Sequence, residues 1–129
     1  MARTLHEAIL DCIAPGGSVT ADVILPPASE IIDSGLVPRH APAIVMHLGA
    51  DFAKRNASIR DAELRAAAAL FPDEWQPLLT TVLVNYYSDP RVLLAFHWSA
   101  DPPQPAGHAL AEHDWSVLGP VKVRKPFWR

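Results

Sequence analysis

The chain has 129 residues, the length of one ordinary domain, and half of its residues are hydrophobic. This composition excludes an intrinsically disordered tail and supplies enough apolar surface for a single core. The unusual residue is proline, at 13 of 129 positions or about 10%, against a usual ~5%. The chain must therefore combine a packed core with many fixed backbone corners.

The formal net charge of −3 hides an uneven distribution of charge along the chain. All 14 acidic residues lie at or before Asp114, whereas residues 122–129 carry four basic residues and no acidic one. Four positive charges beside an acidic body are too few for a nucleic-acid footprint, so no nucleic-acid partner is predicted. The apolar runs are shorter than the ~18 residues of a membrane-spanning helix, so no membrane span is predicted either.

Two features favour a cytoplasmic location. The segment Met1–Glu7 holds no basic run followed by an apolar stretch and no twin-arginine pair. Cys12 is the only cysteine, so an intrachain disulfide is excluded and a reducing compartment is favoured. We therefore expect a cytoplasmic protein that would reach the periplasm only by co-export with a partner.

Capping-box spacing predicts the first helix. Thr4 and Glu7 are three residues apart, the spacing at which each side chain bonds the backbone of the other residue. Apolar residues follow at helical spacing, and the Pro15–Gly17 stretch should end the helix. Residues 18–27 are expected to form an ordered loop, because the three consecutive apolar residues within it need cover.

Three further helical segments are predicted in the first half of the chain. One or two helical turns should cover residues 29–34 and close at a glycine. The next helix should start near Arg39, with a proline in its first turn, and end at Asn56. Ser58 is expected to cap the third segment, whose alanine run 66–69 gives high helix propensity and lets a neighbouring helix approach closely.

The longest stripe of apolar residues follows Pro72, and it predicts the central helix of the fold. Its residues recur at helical spacing as far as Tyr86. The sequence Ser88-Asp89-Pro90 then predicts a helix stop, an N-cap and the first position of a short helix. We therefore predict an all-α fold, in which residues 1–98 form a compact bundle of about five helices.

Residues 99–129 are predicted to form a long, proline-rich, extended tail. Asp101–Gly107 favours polyproline II, which has no internal hydrogen bonds. The tail also carries large apolar side chains that need a surface, among them Trp115, Phe127 and Trp128. We expect the tail to pack on the body or on a partner, because its prolines reduce the entropy lost on docking.

The most distinctive polar group lies at the predicted helix–helix corner, from Asn85 to Arg91. It combines two tyrosines, an amide, a carboxylate and a guanidinium. These groups could form a catalytic or ligand-binding pocket, or they could dock a partner. They could also serve the fold alone, with Asp89 as a helix cap, Arg91 paired with a carboxylate and one tyrosine in the core.

No other motif indicates a catalytic or metal site. No two of the six histidines have the i, i+4 spacing of helical zinc ligands. His108 and His113 could approach a metal on a folded loop, but solvated or hydrogen-bonded side chains are the preferred interpretation. Cys12 is interpreted as a small core residue rather than a nucleophile. We therefore predict no catalytic residue, no metal and no cofactor in this chain.

Three stretches of the sequence, when taken together, resemble a known family. The first is the opening helix with its proline loop, Ala8–Pro15, and the second is the end of the central helix with its corner, Tyr86–Val92. The third is the tail, in its two parts Pro102–His108 and Pro120–Arg129. In these stretches the chain resembles the small accessory subunit, subunit 3, of flavin-dependent gluconate 2-dehydrogenases and related proteins. The tyrosine–Asp-Pro corner is the most specific of them.

The resemblance implies an α-helical, non-catalytic partner of a larger FAD-dependent oxidoreductase of the glucose-methanol-choline type, acting on a sugar or alcohol. The FAD is then expected in the larger subunit, which the small subunit supports in folding, stability or export.

The residues predicted to bind the partner lie at the corner and in the tail: Tyr86, Tyr87, Asp89, Arg91, Trp115, Phe127, Trp128 and Arg129. Two other functions remain open. One is a stand-alone small enzyme or ligand-binding protein that uses the Tyr/Asp/Arg group as a pocket. The other is a homo-oligomer whose tails swap between copies.

Overall fold

A computed structural model of the chain describes residues 2–98, residue 116 and residues 119–123. Within these residues the fold is all-α apart from one small hairpin, which confirms the predicted class. No helix in this part of the chain is both long enough and apolar enough to cross a membrane. The helices are α1 Leu5–Ile13, α2 Ala28–Ile31, α3 Leu36–His40, α4 Pro42–Leu48, α5 Ala57–Leu70, α6 Pro72–Ser88, α7 Pro90–Ala95 and α8 Gly119–Lys122.

Helix α1 begins at the predicted capping box. Thr4 Oγ1 accepts a hydrogen bond from the Glu7 backbone N–H at 3.3 Å, and Glu7 Oε2 accepts one from the Thr4 backbone N–H at 2.8 Å. The hydrogen bond from the Thr4 backbone is the main reason that the pKa of the Glu7 carboxyl is lowered. The helix ends at Ile13, just before the predicted proline–glycine stop.

The predicted ordered loop contains a small antiparallel hairpin. Its strands are β1 Gly17–Ser18 and β2 Ile24–Leu25. Gly16 precedes it with φ +70°, and a Cβ there would lie 2.6 Å from the Leu25 carbonyl oxygen, so only glycine fits. At the far end of the hairpin, Ala28 N donates to Ala14 O at 2.9 Å, which holds the loop against the end of α1.

The prediction of one continuous helix over residues 39–56 is wrong. The structure divides this stretch into α3, α4 and a 3₁₀ helix, Ala50–Lys54. Helices α3 and α4 meet at Ala41, whose φ of −139° and ψ of 59° are not helical, because Pro42 disfavours the helical conformation in the residue before it. Helix α4 ends at Leu48, because the next residue, Gly49, has a φ of +71° that is not helical.

The predicted cap of the next helix is also wrong. Asn56 begins α5 rather than ending the element before it, since its Oδ1 accepts a hydrogen bond from Ile59 N at 2.9 Å. Ser58 lies inside the helix. Both residue types are good N-caps, so the sequence offers two starts two residues apart. The alanine run does bring α5 close to its neighbours, because Ala67 is fully buried.

Helix α6 is the centre of the bundle, as predicted. It packs against α1, α2, α3, α4, α5 and α7. Leu78, Val82 and Tyr86 lie on its buried face at i, i+4 and i+8, and each is almost completely inaccessible to solvent. The predicted apolar stripe therefore forms the buried face of α6, the helix against which the other helices pack.

Glu74, in the first turn of α6, supplies the cap that α4 lacks. No side chain at the N-terminus of α4 bonds its free backbone N–H groups. The Glu74 carboxylate accepts hydrogen bonds from Ala43 N at 3.0 Å and from Ile44 N at 3.2 Å. One acidic side chain thus satisfies two backbone donors of a second helix and places its charge at the positive end of that helix.

We expect Glu74→Ala to lower the free energy of unfolding by about 1–2 kcal/mol, because two backbone donors of α4 lose their acceptor. Asp73→Ala is the matched control: the side chain of this exposed neighbour makes no hydrogen bond within the described residues, so its change should stay within about 0.5 kcal/mol. Urea denaturation followed by circular dichroism measures both variants. Equal losses would contradict the capping role.

Candidate functional site

The polar segment singled out in the sequence lies where α6 ends and α7 begins. Asp89 has an extended backbone, and its Oδ1 accepts a hydrogen bond from Arg91 N at 2.9 Å, so it is the N-cap of α7. Pro90 occupies the first helical position, where its missing N–H costs nothing. The predicted helix stop, N-cap and helix start are all confirmed.

Arg91 pairs with the residue that caps its own helix. Its Nε lies 3.0 Å from Asp89 Oδ1, and its Nη2 lies 3.1 Å from Oδ2, so the ion pair is bidentate. The hydrogen bond from Arg91 is the main reason that the pKa of the Asp89 carboxyl is lowered. Arg91 Nη1 also donates to the Glu30 carbonyl oxygen at 3.2 Å, which links α7 to α2.

The two tyrosines have different environments. Tyr86 is only 1% exposed, and its hydroxyl donates to the Pro26 carbonyl oxygen at 2.8 Å. Burial raises the pKa of this phenol, so it stays protonated at neutral pH. The ring of Tyr87 packs edge-on against that of Tyr86, with 5.1 Å between the centroids, but Tyr87 is 51% exposed.

The corner residues therefore serve the fold in most of their contacts. Tyr86 joins α6 to the segment before α2, Asp89 caps α7, and Arg91 binds both the cap and α2. The structure brings together the four predicted corner residues, but the Tyr86 hydroxyl is turned into the protein. Tyr87 is the one of the four whose ring remains largely available at the surface.

Large apolar side chains are exposed around this corner, on elements that touch one another. Helix α7 packs against both β2 and α6. Half of the exposed large apolar side chains within the described residues lie on these elements or directly after α7. We call this set the apolar edge: Ile24, Val84, Tyr87, Leu94 and Trp98.

The backbone at the end of α7 holds Trp98 in a defined position. His97 has φ +57°, in the left-handed region that residues other than glycine seldom adopt. This turn lets Trp98 N donate to Leu93 O at 2.8 Å and places its ring 5.7 Å from that of Phe96. An indole that is 64% exposed is thus anchored to the corner by its own backbone.

A second region of interest, which the sequence did not indicate, is a pair of adjoining clefts beside α1 and α5, one of which also reaches α6. One cleft, of about 290 Å³, is mainly apolar and is lined by Ile13, Leu64, Ala68, Trp75 and Leu79, with Arg65 beside them. The other, of about 240 Å³, is lined by Arg3, Asp11, Pro15, Ala57 and Arg60, so it carries more charged side chains. Cys12 and Asp61 line both clefts.

Cys12 is only partly the core residue that the sequence predicted. It packs against the buried cluster, yet it is partly accessible and stands where the two clefts join. Burial raises the pKa of its thiol, so the protonated form is favoured at neutral pH.

Asp11 is a buried carboxylate that sequence reasoning missed. It is 5% exposed, its Oδ1 accepts a hydrogen bond from Ser29 N at 3.0 Å, and its Oδ2 lies 3.1 Å from Arg3 Nη1. It therefore holds the first turn of α2 against α1. The sequence could have indicated this role, because Asp11 lies three residues after Ala8 and so falls on the same face of α1. An acidic residue on a buried helix face needs partners.

The remaining predicted partner-binding residues, Trp115, Phe127, Trp128 and Arg129, lie outside the described residues, as do His108, His113 and most of the predicted extended tail. From that tail, the structure describes one helical turn, α8. Across the described ranges, no three His, Cys, Asp or Glu side chains lie close enough to hold a metal ion.

Comparison of the chain with protein-family models, with curated proteins and with solved structures found no match. The described residues define an all-α protein with a hydrogen-bonded corner, an apolar edge around it and a separate pair of clefts.

We expect Tyr86→Phe to lower the free energy of unfolding by about 1 kcal/mol, because the partly buried Pro26 carbonyl loses its donor. Tyr87→Phe removes the neighbouring hydroxyl from an exposed ring and should change stability by less than about 0.5 kcal/mol. Chemical denaturation of the two variants provides the comparison, and a larger loss in Tyr87→Phe would refute the assignment.

We expect the contribution of the Asp89–Arg91 pair to depend on pH. Since the folded state lowers the pKa of Asp89, the pair stabilises the protein above the unfolded pKa of about 3.9 and loses this effect as pH falls further. Asp89→Asn keeps a cap but removes the charge. Its deficit in melting temperature should be present at neutral pH and should shrink below about pH 4; a deficit that does not change with pH would contradict this role.

Proposed function

We propose that this chain is a non-catalytic accessory subunit that binds a larger catalytic protein through its apolar edge. The observation that carries the proposal is the exposure of Ile24, Tyr87, Leu94 and Trp98 around a corner whose polar groups are already hydrogen-bonded. Exposed large apolar side chains on adjoining elements of a folded domain are typical of a protein–protein contact.

The rigidity of the corner supports this interpretation. The Tyr86 hydroxyl holds the segment after β2, while Arg91 holds α2, so the hairpin, α6 and α7 keep a fixed arrangement. A surface that is ordered before binding loses less conformational entropy when it binds. Tyrosine and tryptophan are also the residues that most often dominate interface energetics.

The partner we propose is an FAD-dependent oxidoreductase of the glucose-methanol-choline type, acting on a sugar or alcohol. The support for this identity is the resemblance carried by Ala8–Pro15, Tyr86–Val92 and the tail. In this arrangement the flavin belongs to the larger subunit and this chain supports the folding or stability of that subunit. The proposed location is the cytoplasm, or the periplasm after co-export with the partner.

The alternative of an enzyme pocket at the corner gains little support from the geometry. The Tyr86 hydroxyl donates to a backbone carbonyl, and the Asp89 carboxylate is occupied by its own helix and by Arg91. Neither group is free to act as an acid or base toward a substrate without breaking a contact of the fold.

Co-purification with an FAD-dependent oxidoreductase encoded beside this chain tests the proposal. We expect Leu94→Glu to weaken the complex at least about tenfold, because it places a charge in an apolar contact. Met46→Glu is the matched control, since Met46 is 84% exposed on α4 and lies outside the edge. Circular dichroism verifies that both variants are folded.

Three results would overturn this proposal. One is a stable, monodisperse monomer that binds no such oxidoreductase. A second is a homo-oligomer in a mass measurement, which would favour swapped tails instead. The third is equal binding of the partner by Leu94→Glu and Met46→Glu. This result would show that the apolar edge is not part of the interface, even where a complex forms.

A further inference from the structure

We propose that the two adjoining clefts beside α1 and α5, one of which also reaches α6, form a binding site for a small aromatic carboxylic acid. The aromatic ring would occupy the larger cleft, which is mainly apolar, and the carboxylate would bind Arg60 in the smaller cleft, which carries more charged side chains. The site shares no residue with the apolar edge, so this proposal does not depend on the proposed subunit function.

The apolar cleft has the composition and size of a site for a compact ring. Its walls include Ile13, Leu64, Leu79 and the partly buried Trp75. A volume of about 290 Å³ is at the small end of ligand pockets, which favours one fused or single ring over an elongated molecule. Trp75 offers an aromatic surface against which a ring can stack or pack edge-on.

Arg60 supplies the unsatisfied positive charge. Its Nε is buried without a hydrogen-bond partner, and no carboxylate in the described residues forms an ion pair with it. A carboxylate is the acceptor that fits a guanidinium best, because it can take two N–H groups at once. Arg60 already lines the cleft. Since its Nε is covered, the terminal N–H groups of the guanidinium would bind the ligand.

The other charged groups around the clefts form ion pairs, although Asp11 Oδ2, like Arg60 Nε, is buried without a hydrogen-bond partner within the described residues. Arg3 lies 3.1 Å from Asp11, and Arg65 lies 2.9 Å from Asp61. The net unpaired charge of the site is therefore the single positive charge of Arg60. A single unpaired positive charge matches a ligand with one negative charge, so a monoacid is the matching class.

The position of Cys12 connects the two halves of the site. Cys12 lines both clefts, and Arg60 lines the second of them. A ligand with its ring on one side and its carboxylate on the other would therefore cover Cys12. As the only cysteine in the chain, Cys12 reports directly on whether the site is filled.

Indole-3-acetate, a ring with one carboxylate, is a suitable probe, and the full chain is the protein to use. We expect it to slow the alkylation of Cys12 by iodoacetamide. We also expect a dissociation constant of about 0.1–1 mM, because the number of atoms in a small ligand limits its binding free energy. Arg60→Gln should weaken binding about tenfold. Arg39→Gln, which changes an arginine outside the clefts, should leave binding unchanged.

A second comparison keeps the proposal testable if Arg60→Gln does not fold. Indole-3-acetamide has the same ring without the charge, and it should bind the unaltered chain about tenfold more weakly than the acid. Equal affinity of acid and amide would overturn the role of Arg60. Unchanged alkylation of Cys12 at millimolar indole-3-acetate would overturn the site itself.

Discussion

The buried ring of Tyr86 joins the core of the bundle to its corner. It is among the largest fully buried side chains of the described residues, and it ends the apolar stripe by which α6 packs against six other helices. Its hydroxyl would be costly to bury without a partner, and Pro26, sixty residues earlier, provides the acceptor. This one contact therefore fixes the segment after β2 relative to the end of α6. The apolar edge has residues on both β2 and α6, so its arrangement depends on this contact.

The helices of this fold are mostly short, and several depend on caps supplied from elsewhere in the chain. Glu74 of α6 satisfies backbone donors of α4, and Asp11 of α1 satisfies one of α2. A short helix is only marginally stable by itself, because few of its hydrogen bonds offset the free energy cost of nucleation. These long-range hydrogen bonds therefore supply stability that a longer helix would gain from its own backbone. The prolines at positions 42, 72 and 90 complement them by starting helices where no N–H is needed.

The apolar edge and the pair of clefts place two kinds of chemistry on separate parts of the molecule. The edge is exposed and consists mainly of large apolar side chains on a rigid corner, which suits contact with another protein. The clefts are concave and combine an apolar wall with one unpaired guanidinium, which suits a small charged ligand. The two surfaces have no residue in common, so each can be altered without removing the other.

Local signals in the sequence determined the helical class, the Thr4–Glu7 capping box, the α6 stripe and the Asp89-Pro90 helix start, because these depend on residues a few positions apart. The tertiary structure alone decided which tyrosine is buried, where residues 39–56 break, and that Glu74 and Asp11 cap other helices. It also placed Cys12 and Arg60 at one pair of clefts. These outcomes depend on contacts between residues far apart in sequence, which spacing and propensity do not encode.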